Sequence, residues 1–116
     1  MNEFEYEINK SRFIAYKKEL TSLDDVKFFL QELKTKHKKA THICYAYVYS
    51  KETVSEKACD DGEPGGTAGY PILNVIKKKN LTNTLVAVVR YFGGIKLGAG
   101  GLTRAYTKAT AQLLND

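Results

Sequence analysis

Five consecutive apolar residues, Leu85-Val86-Ala87-Val88-Val89, run directly into the stretch Arg90-Tyr91-Phe92-Gly93-Gly94-Ile95-Lys96-Leu97-Gly98-Ala99-Gly100-Gly101. The apolar run is too short for a helix of its own and rich in β-branched residues, so it reads as a strand buried on both faces. Beyond the glycines, Leu102, Ala105, Tyr106, Ala109 and Leu113 recur at helical spacing, which places a helix start between Gly98 and Gly101. A buried strand, a glycine loop and a helix N-terminus thus follow one another without a break. Glycine tolerates positive φ and lets a ligand or another backbone come close. The first turn of a helix leaves N–H groups without intrahelical partners, and with the helix dipole these attract anions.

The stretch therefore reads as an anion cradle. Its candidate binding residues are Arg90, Gly93, Gly94, Lys96, Gly98, Gly100, Gly101, Thr103 and Arg104. Lys96 precedes the first helical turn and Arg104 follows Gly101 by three residues, so both supply charge to one anion, with Arg104 able to offer two N–H groups. The competing reading is a loop folded tightly on its own strand and helix, with Lys96 simply solvated. Known phosphate motifs do not match. Gly93 to Gly98 has P-loop spacing, but Ala99-Gly100 stands where Lys-Ser/Thr belongs. Gly98-x-Gly100-x-x-Thr103 lacks the third glycine of a dinucleotide fingerprint.

Upstream, Phe4, Tyr6 and Ile8 alternate with Glu5 and Glu7, and Arg12 to Leu20 resumes as a second strand after Asn9-Lys10-Ser11, which predicts a hairpin. Ser22 with Asp25 resembles a capping box ahead of a helix whose apolar stripe is Val26, Phe29, Leu30 and Leu33. That helix ends in Lys34-Thr35-Lys36-His37-Lys38-Lys39, a basic terminus that complements its dipole or else meets nucleic acid or an acidic partner. Thr41 to Ser50 is a third strand, with His42, Cys44, Ala46 and Val48 on one face and Ile43, Tyr45, Tyr47 and Tyr49 on the other. Such a tyrosine row covers a core with its hydroxyls outward, or stacks on bases. His42 and Cys44 lie nearly 7 Å apart along the strand and lack a third orienting group, which argues against nucleophilic catalysis.

A second loop, Asp60-Asp61-Gly62-Glu63-Pro64-Gly65-Gly66-Thr67-Ala68-Gly69, crowds three carboxylates into four positions. Asp60, Asp61 and Glu63, with Thr67, form a candidate acidic site for a divalent cation, although EF-hand spacing is absent. Turn chemistry from Asp-Gly and Glu-Pro, with aspartates capping local N–H groups, explains the same residues. Pro71 to Ile76 then continue as a short helix ending in Lys77-Lys78-Lys79-Asn80. Whichever role the acids play, this loop and the glycine loop are expected to meet, with Asp60 or Asp61 near Arg90, Lys96 or Arg104.

At 116 residues the chain suits one domain over 1–116 with a core that needs no metal or disulfide staple. With 43% hydrophobic and 27% charged residues it is neither disordered nor membrane-spanning in composition. No apolar run approaches the ~20 residues of a bilayer span. MNEFEYEINK lacks a signal-peptide core, and two cysteines, Cys44 and Cys59, make no framework, so free thiols in the cytoplasm are expected. A net charge of +5 is compatible with a polyanionic partner.

The two loops together carry a resemblance. DDGEPGGTAGYPIL and VVRYFGGIKLGAGGLTRAY are similar to the signatures of the YigZ/Impact family, and ATHICYAYVY and KSRFIA agree, so that the likeness runs from about Lys10 to Leu113. Gly65 stands where many members have Ser, and Ala99 where many have Thr. The resemblance implies an α+β fold, a two-layer sandwich with helices on one face of a mixed sheet, like the second domain of the fifth small-subunit ribosomal protein. It also implies translational control. Eukaryotic Impact proteins compete for the activator of the kinase that phosphorylates an initiation factor during amino-acid starvation. Bacterial members usually add a ferredoxin-like domain, which is expected to be absent from a chain ending at Asp116. The function expected is a non-catalytic binding module without a cofactor, contacting RNA, ribosome or a regulatory protein through the glycine loop. The rival is an enzyme acting on a phosphorylated small molecule, with a metal on Asp60, Asp61 or Glu63 and phosphate held by Lys96 and Arg104.

Overall fold

The computed structural model describes residues 3–115. The alternating N-terminal segment forms the expected hairpin of β1 (Glu3–Ile8) and β2 (Ser11–Glu19), in antiparallel register with Tyr6 opposite Phe13. Its two-residue turn places Asn9 at φ 48° and Lys10 at φ 64°, the paired positive angles that match the twist of a tight hairpin. Helix α1 (Asp24–Lys36) follows. Asp25 reaches back to accept from Thr21 N (2.7 Å), Thr21 Oγ1 (2.8 Å) and Ser22 N (3.2 Å), the acidic half of the capping arrangement, while the N-cap position, Leu23, contributes no side-chain bond. These donors hold the Asp25 carboxyl below its ordinary range.

Strand β3 (His42–Ser50) pairs with β4 (Val54–Cys59), then come α2 (Gly69–Lys78), β5 (Thr84–Tyr91) and α3 (Gly98–Leu114). The sheet order is β1-β2-β5-β3-β4. The most apolar strand therefore sits in the middle, and Leu85 to Val89 are all fully buried. At roughly 1.5–3 kcal/mol for each fully buried Val or Leu side chain, β5 contributes heavily to the core.

The α+β class holds, but the layering differs from the expectation in two respects. Every strand pair is antiparallel, so the sheet is not mixed. The helices also occupy both faces. Helices α2 and α3 pack Ile72, Ile76, Leu102, Tyr106 and Ala109 on Phe13, Ala15, Cys44, Ala46, Val86 and Val88. Helix α1 lays Val26, Phe29, Leu30 and Leu33 over the reverse face, against Ile14, Tyr16, Ile43, Leu85, Ala87 and Val89. The reason lies in β5. A central strand apolar on both faces needs cover on both, and antiparallel neighbours supply its ladder as well as parallel ones. Strand β4 was not foreseen. It is a sheet edge with little apolar content, and its one large aliphatic, Val54, is 63% exposed, so alternation gives no signal.

Candidate functional site

The acidic and glycine loops meet at the end of β5, and the residue that joins them is Glu63. It is 7% exposed and faces Arg90, itself 5% exposed. Arg90 Nη1 donates to Glu63 Oε1 (3.0 Å) and Oε2 (2.9 Å). The Tyr106 hydroxyl of α3 donates to the same Oε2 at 2.5 Å. Arg90 Nη2 lies 3.3 Å from Ser11 Oγ, which also accepts from Gly93 N at 3.2 Å. A continuous buried chain of polar contacts thus links α3, the acidic loop, β5, β2 and the glycine loop. Arg90 stands at this place because β5 turns it to the α2/α3 face, opposite Phe13 on β2 and His42 on β3.

The two aspartates do not approach Arg90, Lys96 or Arg104 as expected. Asp60 takes three backbone donors, Gly66 N (2.9 Å), Ala68 N (3.2 Å) and Gly69 N (2.8 Å), and so caps the start of α2. Burial pushes its carboxyl up, but those three N–H groups outweigh it and hold the group below the ordinary range. Asp61 accepts from Ile43 N at 2.7 Å, and its carbonyl accepts from His42 Nδ1 at 2.8 Å, which fixes the proton of His42 on that nitrogen. His42 Nε2 then lies 3.5 Å from Glu63 Oε1. The candidate acidic site is therefore divided among three separate partners. Among the described residues no group of three His, Cys, Asp or Glu side chains is placed to hold a metal ion. Thr67 donates to Pro64 O at 2.6 Å and closes the turn rather than facing the site.

Nor do the small residues of the two loops pack on one another. Gly69 lies on β4, where a Cβ would come within 2.4 Å of Cys59 N. Gly93 lies on the β1–β2 turn, where a Cβ would come within 2.0 Å of Lys10 O. Each glycine permits a backbone crossing elsewhere, and the loops converge through Glu63 and Pro64 instead.

Between them is an open cleft of about 360 Å³. Pro64, Phe92, Leu97 and Leu102 give it apolar walls, His42, Glu63 and Arg90 lie at its base, and Lys96, Gly98 and Ala99 line it at the start of α3. Gly98 opens the helix at φ +72°, with open space where a Cβ would stand. Of the residues expected to bind an anion, the structure brings Arg90, Lys96 and Gly98 to this cleft. Arg90 is already paired with Glu63, although its Nε is buried without a partner. Gly94, Gly100 and Gly101 are not among the lining residues. Arg104 does not line the cleft either; its Nη1 lies 3.3 Å from the position of a Gly100 Cβ. The Thr103 hydroxyl donates to Ala99 O at 3.0 Å within the helix.

Four participants escaped sequence reasoning: Ser11, His42 as a loop anchor, Phe92, and the Tyr106 hydroxyl. Only Tyr106 left a trace, as an aromatic with a polar tip in an otherwise aliphatic helical stripe. Burial, Cys44 and Glu63 together push its hydroxyl far above the usual range, so it stays a donor. Burial likewise pushes the Cys44 thiol up, and its Sγ lies 3.0 Å from Asp60 O. That thiol is a packing group, not a nucleophile.

The chain as a whole has known relatives. The model of the Impact N-terminal domain matches residues 9–114. The IMPACT family member YvyE of Bacillus subtilis is 50% identical over 113 residues, covering 97% of this chain and 52% of that protein. A crystal structure of a hypothetical protein superposes with a TM-score of 0.88 at 35% identity, over 98% of this chain and 56% of the other. The two-domain translational regulator Yih1 superposes at 0.60 with 25% identity, over 97% of this chain and 45% of the other. This chain thus spans about half the length of the relatives it matches. A family match over most of the chain and a fold shared at this level lead to one conclusion: the chain belongs to the IMPACT family, as an Impact N-terminal domain.

Proposed function

We propose that this chain is a non-catalytic binding module of cytoplasmic translational regulation that takes an anionic group into the cleft at the start of α3. The observation that carries this reading is the composition of the cleft. Its one carboxylate among the described residues, Glu63, is paired with Arg90, leaving Lys96 and the free N–H groups of the first helical turn, above the buried Arg90 Nε, as polar groups without a partner on apolar walls. That combination suits a phosphate or carboxylate flanked by apolar atoms, as presented by a regulatory protein or by ribosomal RNA. Kinship with a translational regulator supports the biological setting. No helix among the described residues is long and apolar enough to cross a membrane. Catalysis finds less support: Asp60 is held in its charged form by backbone donors, and Cys44 and Tyr106 are held in their neutral forms.

The test is an NMR titration with inorganic phosphate, a phosphopeptide and a short RNA. The amide signals of Gly98 to Thr103 are expected to move, weakly and with salt dependence, and Lys96→Ala is expected to weaken the effect without unfolding the domain. Arg104→Ala is expected to change it less, because its side chain sits outside the cleft. If those amides stay fixed while another surface responds, the glycine loop is scaffolding.

A further inference from the structure

A second hollow lies on the other side of the sheet. It is a groove of about 620 Å³ between α1 and the β3–β4 hairpin. Tyr45 and Tyr47 of β3, half-buried and packed against the clusters that α1 covers, line this groove together with Lys57 of β4. Antiparallel register places Lys57 opposite Tyr47. Its Nζ lies 5.8 Å from the Tyr45 ring centroid, so charge and aromatic face are presented together. Lys27 and Lys34 line the opposite wall from α1, and Lys38 follows in the turn after it.

Among the described residues, no acidic side chain lines this groove, and none of its four lysines is in an ion pair. A helix dipole accounts for basic residues in a last turn. It does not account for Lys57, which comes from a strand, or for Lys27, which lies in the first turns of the helix.

We infer that the groove between α1 and the β3–β4 hairpin binds single-stranded RNA, with the four lysines along the phosphates and Tyr45 and Tyr47 under the bases. Charge complementarity selects a polyanion, and the aromatic pair selects one with exposed planar groups. Alternate strand positions put the two rings about 7 Å apart on one face. Lys27 and Lys34 lie seven residues apart, about 10 Å along the helix axis, so the positive wall spans several nucleotides. Base–aromatic stacking tolerates any sequence, so the groove reads strandedness more than sequence. This site is separate from the cleft at α3 and stands or falls without it.

The experiment is fluorescence anisotropy of the whole chain with a labelled ten-nucleotide oligouridylate over a salt series. Four phosphates neutralised on a single strand give a log–log salt slope of about −3, falling to about −1.5 in the exposed double variant Lys34→Ala/Lys57→Ala. Lys34→Glu is expected to weaken binding much more than Lys78→Glu, which changes net charge equally on the far end of α2. Tyr47→Leu, checked for folding by its melting curve, is expected to lose about tenfold. Equal effects of Lys34→Glu and Lys78→Glu would reduce the attraction to net charge and overturn the proposal. So would a duplex or a polyglutamate peptide binding as tightly as the single strand, the latter pointing to an acidic protein partner.

Discussion

Replacing Glu63 by glutamine keeps the shape of the side chain and removes its charge, which isolates what the buried pair contributes. The partner, Arg90, is 5% exposed and donates twice to Glu63 through Nη1, while its Nε has no partner at all. In the variant the guanidinium keeps its charge in a site where water cannot compensate it. Removing one member of a buried pair typically costs about 3–5 kcal/mol, mostly the penalty of the orphaned charge. For a domain of this size that corresponds to a fall in melting temperature of about 12–20 °C. Out of a total stability of about 5–15 kcal/mol, the loss is severe. The double variant Glu63→Leu/Arg90→Met removes both charges and is expected to recover most of the stability, because apolar replacement of a whole buried pair is often neutral or better. Tyr106 then loses its acceptor, so recovery stays incomplete by about 1–3 kcal/mol. Urea denaturation of wild type, Glu63→Leu, Arg90→Met and Glu63→Leu/Arg90→Met completes the cycle, with Glu63→Gln measured beside it. A Glu63→Gln protein within about 1 kcal/mol of wild type would refute the reasoning, since an orphaned interior guanidinium cannot be that cheap.

Gly93→Ala is expected to destabilise strongly and to separate β1–β2 from the glycine loop, because its Cβ would fall on the Lys10 carbonyl; Gly100→Ala meets only a flexible guanidinium end and should melt within a few degrees of wild type. Stability is also expected to fall in two steps on acidification. His37 bonds Tyr16 and Tyr91 through its two ring nitrogens (2.7 and 2.6 Å), and burial, with Lys36 beside it, depresses its pKa below 6.5. The unfolded chain therefore takes up that proton more readily, so this contribution is complete above pH 6.5 and declines as pH falls through the folded value. Asp60 has the same sign lower down, complete above about 3.8 and lost as pH drops through its depressed folded pKa. Denaturation midpoints from pH 8 to 3 check both: His37→Gln should abolish the first step and Asp60→Asn should shrink the second, which the depressed Asp25 carboxyl shares, and a flat profile between pH 7 and 5 in the wild type would exclude the His37 contribution.

Patterning made most of the elements legible because their causes are local. The run Leu85 to Val89, the stripe Leu102–Tyr106–Leu113 and the alternation of β3 each carry their period in adjacent residues. What stayed hidden was pairing across distance. Asp60, Asp61 and Glu63 look alike over four positions, and nothing in their order says that the first caps α2, the second ties down β3 and the third goes inside. That division follows from the positive φ of Asp61 (45°) and Gly62 (88°), which reverse the chain between the aspartates and Glu63. The placement of α1 was hidden for a different reason. An amphipathic stripe says that a helix covers something, but the choice of face depends on which side of the sheet α2 and α3 leave bare.

The buried chain of contacts also bears on how the cleft works. Both of its walls hang from Glu63 and Arg90: Pro64 follows Glu63 directly, and the glycine loop is tied back through Ser11, which meets Arg90 and Gly93 together. An ion pair without solvent holds one geometry or breaks at a large cost, so the cleft is preformed rather than adaptable. A preformed site orders little on binding and so loses little affinity to entropy. It also follows that binding and stability are linked here more tightly than at the groove on the opposite face. Substitutions around Lys27, Lys34 and Lys57 touch solvated side chains and can change affinity alone, whereas any change to Glu63, Arg90 or Tyr106 alters the fold and the cleft at once. A variant that loses phosphate binding is therefore informative only when its melting curve is unchanged, and Lys96, exposed on the rim, is the position where that condition can be met.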